Sequence, residues 1–239
     1  MLINSIPNEW KDILNHENIN YSRRSTLFAK INEKLKFSKF FYVKLIEAKR
    51  PVNKTTIKWD KELSDDNIDW KNTFMQPIKL TIDTKLREFQ YKYLMHKIPN
   101  NKFLLKCGFT THSLCDFCNM NIETNKHLFW DCGVVQELWH NVILWLEHKL
   151  HIDNLEPLSY QSISLNTKRW LVDTNLNRNI NFIILLTKYY IYTKRLQGDI
   201  PKIEGFLSYF EYRLNIEETI AQVKNNYAYF IATWDKFLN

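Results

Sequence analysis

The chain has 239 residues, 45% of them hydrophobic and 25% charged, which is the balance of a globular protein and excludes a disordered polymer. Four Gly and six Pro are too few for a turn-rich sandwich or barrel, and no run of about 18 uncharged apolar residues offers a membrane span, so a mostly α fold is expected. The 33 Lys+Arg against 26 Asp+Glu leave a formal charge of +7.

Residues 24–50 predict a helix, with Leu27, Ile31 and Leu35 at four-residue spacing, and Pro51 and Asn53 mark its stop. Residues 1–58 carry a net +7 and read as a basic helical N-terminal segment. Trp59, Leu63, Ile68 and Trp70 then punctuate an acidic stretch, and Pro77 is expected to end the piece that follows. Residues 83–98 predict a helix capped by Asp83 or Thr84, with Leu86, Phe89, Tyr93, Leu94 and Ile98 as its apolar face. Lys85, Lys92 and His96 fall at i, i+7 and i+11 of that helix, hence on one stripe.

Residues 102–132 are too irregular for a long element. After Gly133 a helix is expected, since Val135, Leu138, Trp139, Val142, Leu146 and Leu150 keep the i, i+3, i+4 rhythm. The Asn-rich residues 151–179 predict a loop with one short helix. Residues 180–196 predict a buried helix ending in Lys194-Arg195 and closed by Gly198 and Pro201, and residues 202–214 and 216–237 predict two more. The expected division is 1–58, then 59–150, then a C-terminal helical region 151–239.

One constellation carries chemistry. Cys115-Asp-Phe-Cys118, His127 and Cys132 form C-x2-C-x8-H-x4-C. Cys-x2-Cys places two thiolates on one tight knuckle, and a His with a Cys five residues later completes a tetrahedron for Zn²⁺. Four ligands with no open position predict one structural zinc, a CCHC zinc knuckle inserted between helices. Cys107 reads as a small core residue and His112 as a weaker substitute for His127.

The flanking residues resemble a known family. Arg87-Glu-Phe-Gln-Tyr-Lys-Tyr-Leu94, Pro99-Asn-Asn-Lys-Phe-Leu-Leu105, Cys115-Asp-Phe-Cys118, Lys126-His-Leu-Phe-Trp-Asp-Cys132 and Trp139 together resemble the zinc-binding C-terminal region of non-LTR (LINE-type) retrotransposon reverse transcriptases. Glu123 fits the family's glutamate, and the likeness is strongest over about residues 40–150. It implies a partner polymerase domain, RNA or RNA–DNA hybrid as ligand, and a place in target-primed reverse transcription. It also implies an intracellular protein of the cytoplasmic ribonucleoprotein and nucleus; no signal peptide opens the chain. The polymerase's aromatic-x-Asp-Asp turn is missing, because the sole Asp-Asp, Asp65-Asp66, lacks the aromatic and the flanking strands. A non-catalytic region or truncated copy is therefore expected.

Charge blocks locate the expected contacts. Residues 71–114 net +6 and 166–202 net +5, whereas the knuckle, 115–132, nets −2 and should repel phosphate. Only 8 of the 33 basic residues are Arg, which favours backbone over base reading. Zinc is thus expected to shape the domain while lysines outside it touch nucleic acid. The candidates are Lys85, Lys92, His96, Lys97, Lys102 and Lys106, a second group of Arg23, Arg24, Lys30 and Lys34, and a third of Lys194 and Arg195, with Lys126 of little account. The competing expectation is a protein–protein docking module whose lysines only solvate helix faces.

Overall fold

Short polar side chains cap five of the nine α-helix starts among the described residues. In a computed structural model, which describes residues 42, 54–64, 67–153, 155–167 and 173–238, the chain divides into two compact units, Met1–Asn53 and Lys54–Asn239. Apart from residue 42, the predicted helix over 24–50, with Arg23, Arg24, Lys30 and Lys34, lies outside the described residues. In the second unit helices α1 (Lys54–Leu63), α2 (Trp70–Leu80), α3 (Thr84–Leu94) and α4 (Asn101–Lys106) precede the cysteine segment. Helices α5 (Gly133–Leu150), α6 (Tyr160–Leu165), α7 (Thr174–Gln197), α8 (Ile203–Val223) and α9 (Tyr227–Leu238) follow it. Side chains of Asp69, Asp83, Asn100, Ser159 and Asp173 accept backbone N–H groups at the starts of α2, α3, α4, α6 and α7, satisfying donors that a helix start leaves free. Gly198, at φ +72°, ends α7 in the left-handed conformation that glycine adopts without strain.

The protein is mostly α, and among the described residues an isolated bridge between Leu114 and Ile122 stands in place of any strand. Helix α7 forms the axis. Ile180, Phe182, Ile183, Ile184, Leu185 and Leu186 are all buried, so it is apolar nearly all round, and it packs against α2, α3, α8 and α9. One core cluster runs from Trp59 through Phe129 and Trp139 to Phe237, so the cysteine segment and the C-terminal helices share a single interior. Each fully buried large apolar side chain contributes on the order of 1.5–3 kcal/mol.

A cation sits inside this core. Lys188 is fully buried; its Nζ donates to Gln90 Oε1 at 2.6 Å and to the Ile163 carbonyl at 2.7 Å, and it lies 4.8 Å from the Tyr93 ring centroid. Burial drives its pKa well below the usual lysine value, and the two hydrogen bonds tie α7 to α3 and α6.

Several boundaries differ from expectation. Pro77 does not end α2; it is buried three residues before the helix end, and its carbonyl takes the Thr81 N–H at 3.2 Å. Helix α3 stops at Leu94 rather than 98, with the Met95 amide turned back on Tyr91 and His96 in the left-handed region at φ 51°. Helix α7 starts six residues earlier than expected, at the Asp173 cap. No break occurs near Asn215, where Thr219 Oγ1 bonds the Asn215 carbonyl along a continuous α8; the chain turns instead at Lys224–Asn226, with Asn225 left-handed.

Candidate metal centre

Tight local turns bring the four ligand-type residues together. After Cys115 the chain folds back at Asn119, whose φ of 54° suits asparagine and whose N–H donates to the Cys115 carbonyl at 2.8 Å. The Cys115 N–H donates to the Asn121 carbonyl at 2.9 Å, closing the knuckle. His127–Asp131 then form a π-helical turn, in which the Cys132 N–H reaches the His127 carbonyl at 2.9 Å. That widened turn sets His127 and Cys132, five residues apart, beside one another, a use typical of π-bulges.

The donor atoms of Cys115, Cys118, His127 and Cys132 all lie within 4.8 Å of one another. Cys115 Sγ and Cys132 Sγ are 4.0 Å apart, and Cys118 Sγ is 3.4 Å from His127 Nε2. A tetrahedral zinc with sulfurs at about 2.3 Å and nitrogen at about 2.0 Å places S···S near about 3.8 Å and S···N near about 3.5 Å. The widest gap thus closes with about 1 Å of side-chain motion, and the set fits one structural zinc. Cys115, His127 and Cys132 are buried and Cys118 is half-buried, and four protein ligands are the full complement of a tetrahedral zinc.

Proton placement agrees with this chemistry. The hydrogen bond that Cys115 donates to Cys132, followed by burial, pushes the Cys115 thiol up. The same bond, helped by the Val134 and Val135 amides at the start of α5, draws the Cys132 thiol down. Cys107 and His112 are both exposed and outside the cluster, so Cys107 is not the core residue expected; it caps the end of α4.

A buried ion pair braces the knuckle from behind. Glu123 is fully buried; its Oε1 accepts from Arg195 Nε at 2.8 Å and Nη2 at 2.7 Å, and from the Asn101 N–H at 2.8 Å. Arg195 Nη2 also donates to Asn101 Oδ1 at 2.8 Å, while Asn101 Nδ2 donates to Asp116 Oδ1, inside the Cys-x2-Cys loop, at 2.7 Å. Arg195 Nε lies 3.6 Å from Asp116 Oδ2. The end of α7 is thereby fastened to the metal loop.

Arg195 is therefore no surface contact for nucleic acid: it is buried and engaged by two carboxylates. Its neighbour Lys194 pairs with Asp199 at 2.9 Å. Lys85 and Lys92 are exposed on α3, but Glu88 between them pairs with Lys92 at 2.7 Å. His96 does not continue their stripe, because the helix has ended and its ring stacks on Trp59 at 4.5 Å between centroids. Burial, reinforced by the charge of Lys58, lowers His96 to about 4, so it carries no charge for a phosphate at neutral pH.

What the structure does bring together is a cleft of about 510 Å³ beside the metal site. Lys58 of α1, the His96 turn, Lys102, Phe103 and Lys106 of α4, and Lys126 just ahead of His127 line it. Among these, Lys102, Lys106 and His96 were expected at the interface. Lys58 and Lys126 were not, since the first falls in a different charge block and the second in an acidic one. Lys97 is exposed nearby without lining it. The cleft's carboxylate, Glu62, accepts the Tyr160 hydroxyl at 2.7 Å.

Residues 61–139, about a third of the chain, match a family model described as zinc-binding in reverse transcriptase. The matched span contains all four ligands, Glu123 and Trp139, and is similar to a zinc-binding region associated with reverse transcriptases. No curated protein matches the chain. Among the described residues no helix is long and apolar enough to cross a membrane.

Proposed function

We propose that this protein is the non-catalytic, nucleic-acid-binding C-terminal module of a LINE-type reverse transcriptase, holding RNA or an RNA–DNA hybrid near a polymerase domain. The observation that carries the reading is the Cys3His cluster within a span that matches reverse-transcriptase zinc-binding regions. Zinc in this reading acts on shape alone: it pins the knuckle, and the knuckle positions α4 and Lys126. The test is binding of the zinc-loaded chain to labelled RNA, RNA–DNA hybrid and DNA across a salt series. Phosphate contacts give a log-log slope of about −0.7 per neutralised charge on single strands, so a measurable negative slope supports the reading and salt-independent or absent binding overturns it.

A second reading, docking on the polymerase body, is favoured by one feature. Phe109 is 81% exposed and Met120 76%, with Leu105, Leu114 and Ile122 also exposed in the same segment. The two readings use different parts of the molecule and are compatible.

A further inference from the structure

We propose that the cleft between α1, α4 and the metal loop is a seat for single-stranded nucleic acid, which grips backbone phosphates through lysines and stacks a base on Phe103. This rests on the nucleic-acid-binding reading above and assigns it a site.

The charge argument is geometric. Lys58, Lys102, Lys106 and Lys126 come from sequence positions up to 68 residues apart yet line one depression. Lys102 and Lys106 sit one turn apart on α4 and so share a face. Among the described residues no carboxylate pairs with Lys58, Lys102 or Lys106, and the nearest acid to Lys126, Asp131, is at 4.0 Å. Converging ammonium groups repel one another, and a phosphate chain relieves that repulsion. The cleft's own acid, Glu62, keeps its charge when it accepts the Tyr160 hydroxyl, so the four lysines against this one carboxylate leave the lining at a net +3.

Phe103 decides the class of ligand. The residue is 55% exposed and lines the cleft, between Lys102 and Lys106 in sequence. A bare ring beside ammonium groups matches the pairing of stacking platform and basic groove found in single-strand binders. A duplex keeps its base faces stacked inside and cannot use it. With lysines and no arginine on the walls, the site reads phosphate and not base edges.

The metal loop supports the cleft directly. The Lys102 N–H donates to the Glu123 carbonyl at 3.2 Å, and Asn100, which also lines the cleft, bonds Asn125 at 2.8 Å. Lys126 adjoins the ligand His127, and its Nζ lies 5.4 Å from the Tyr160 ring centroid.

The experiment is fluorescence anisotropy with the full zinc-loaded chain and labelled oligo(U), oligo(dT) and a hairpin duplex. The expected wild-type slope on oligo(U) is about −3 for four lysines, and Lys102→Gln with Lys106→Gln should shallow it by about 1.4 and weaken binding about tenfold or more. Phe103→Ala should cost about fivefold or more on either single strand and little on the duplex. Lys85→Gln with Lys92→Gln serves as the control and should stay within about twofold. Zinc content and circular dichroism confirm that each variant folds, and photocrosslinking of bromouridine-substituted RNA to the wild type should give an adduct at Phe103. If wild type binds nothing, the functional reading and the site fall together. If it binds with a salt slope but cleft variants match wild type, or the crosslink maps to α3, the function stands and this site is wrong. Oligo(U) against oligo(dT) separates RNA from DNA as the strand held.

Discussion

Arg195→Met probes whether the knuckle depends on the buried ion pair behind it. In the native protein the Arg195 and Glu123 side chains are 5% and 0% exposed, and two guanidinium nitrogens reach one carboxylate oxygen at 2.7 and 2.8 Å. Methionine fills much of the arginine's volume, so the cavity term is small. The dominant cost is a buried carboxylate left with only the Asn101 N–H at 2.8 Å and the Asp116 N–H at 3.5 Å. Breaking a buried pair from one side typically costs about 3–5 kcal/mol. With a urea slope of about 2 kcal/mol/M, the midpoint of the zinc-loaded chain should fall by about 1.5–2.5 M. Zinc should also be lost more readily to a chelator, because Arg195 no longer anchors Asn101 and Asp116 to the end of α7. Adding Glu123→Gln removes the stranded charge while keeping an oxygen for the Asn101 N–H, so the double variant should be more stable than Arg195→Met alone. A loss below about 1 kcal/mol, or a double variant no better than the single, refutes the claim that this pair braces the metal loop.

The remaining expectations concern metal, proton and packing. Metal analysis should find one zinc per chain, and Cys118→Ser should abolish it and unfold the knuckle, since structural zinc supplies on the order of 10 kcal/mol of apparent binding energy. An NMR titration should place the His96 midpoint at about 4, against 6.5 in the unfolded chain. Because the unfolded state takes up that proton first, stability should fall as pH drops from about 6.5 to about 4. After discounting for partial exposure His96 contributes about 1–2 kcal/mol to that fall, read as the difference from His96→Phe under the same conditions. Gly205→Ala should destabilise by about 1–3 kcal/mol in thermal melts, because the added Cβ collides with the Tyr190 hydroxyl that donates to the Lys202 carbonyl.

Periodicity made the long elements legible: α5 begins and ends where Gly133 and the Val135–Leu150 rhythm place it, and the unbroken apolar run at 180–186 correctly reads as buried. The ligand set was also legible, since cysteine spacing is a local property. Elements whose fate depends on tertiary contacts were not. Pro77 looked like a stop, but a helix that buries Thr73, Pro77 and Leu80 gains enough from packing to continue past it. Ile98 matched the α3 stripe, yet Trp59 takes the site above the helix end. Its indole N–H donates to the Leu94 carbonyl at 2.7 Å and its ring covers His96, fixing the chain in a left-handed turn there.

The charge reading left burial out, and burial changes the view of the knuckle. Counted along the chain, residues 115–132 are acidic and ought to repel phosphate. In space, Glu123 is buried against Arg195, a residue 72 positions away, and its charge is neutralised there, whereas Asp116, 3.6 Å from the same guanidinium, stays exposed. Lys126 is then left on the outer side with Lys102 and Lys106. The same pairing removes Arg195 from the surface, so the positive patch moves from the end of α7 to the mouth of the metal loop. Segment sums treat every charge as exposed, whereas a buried pair contributes almost nothing to the external field. With Arg195 counted, the metal loop's net charge changes from −2 to −1, and the side that carries Lys126 lines the cleft. It is one wall of the basic cleft, and arginine, glutamate and zinc together hold that wall in place.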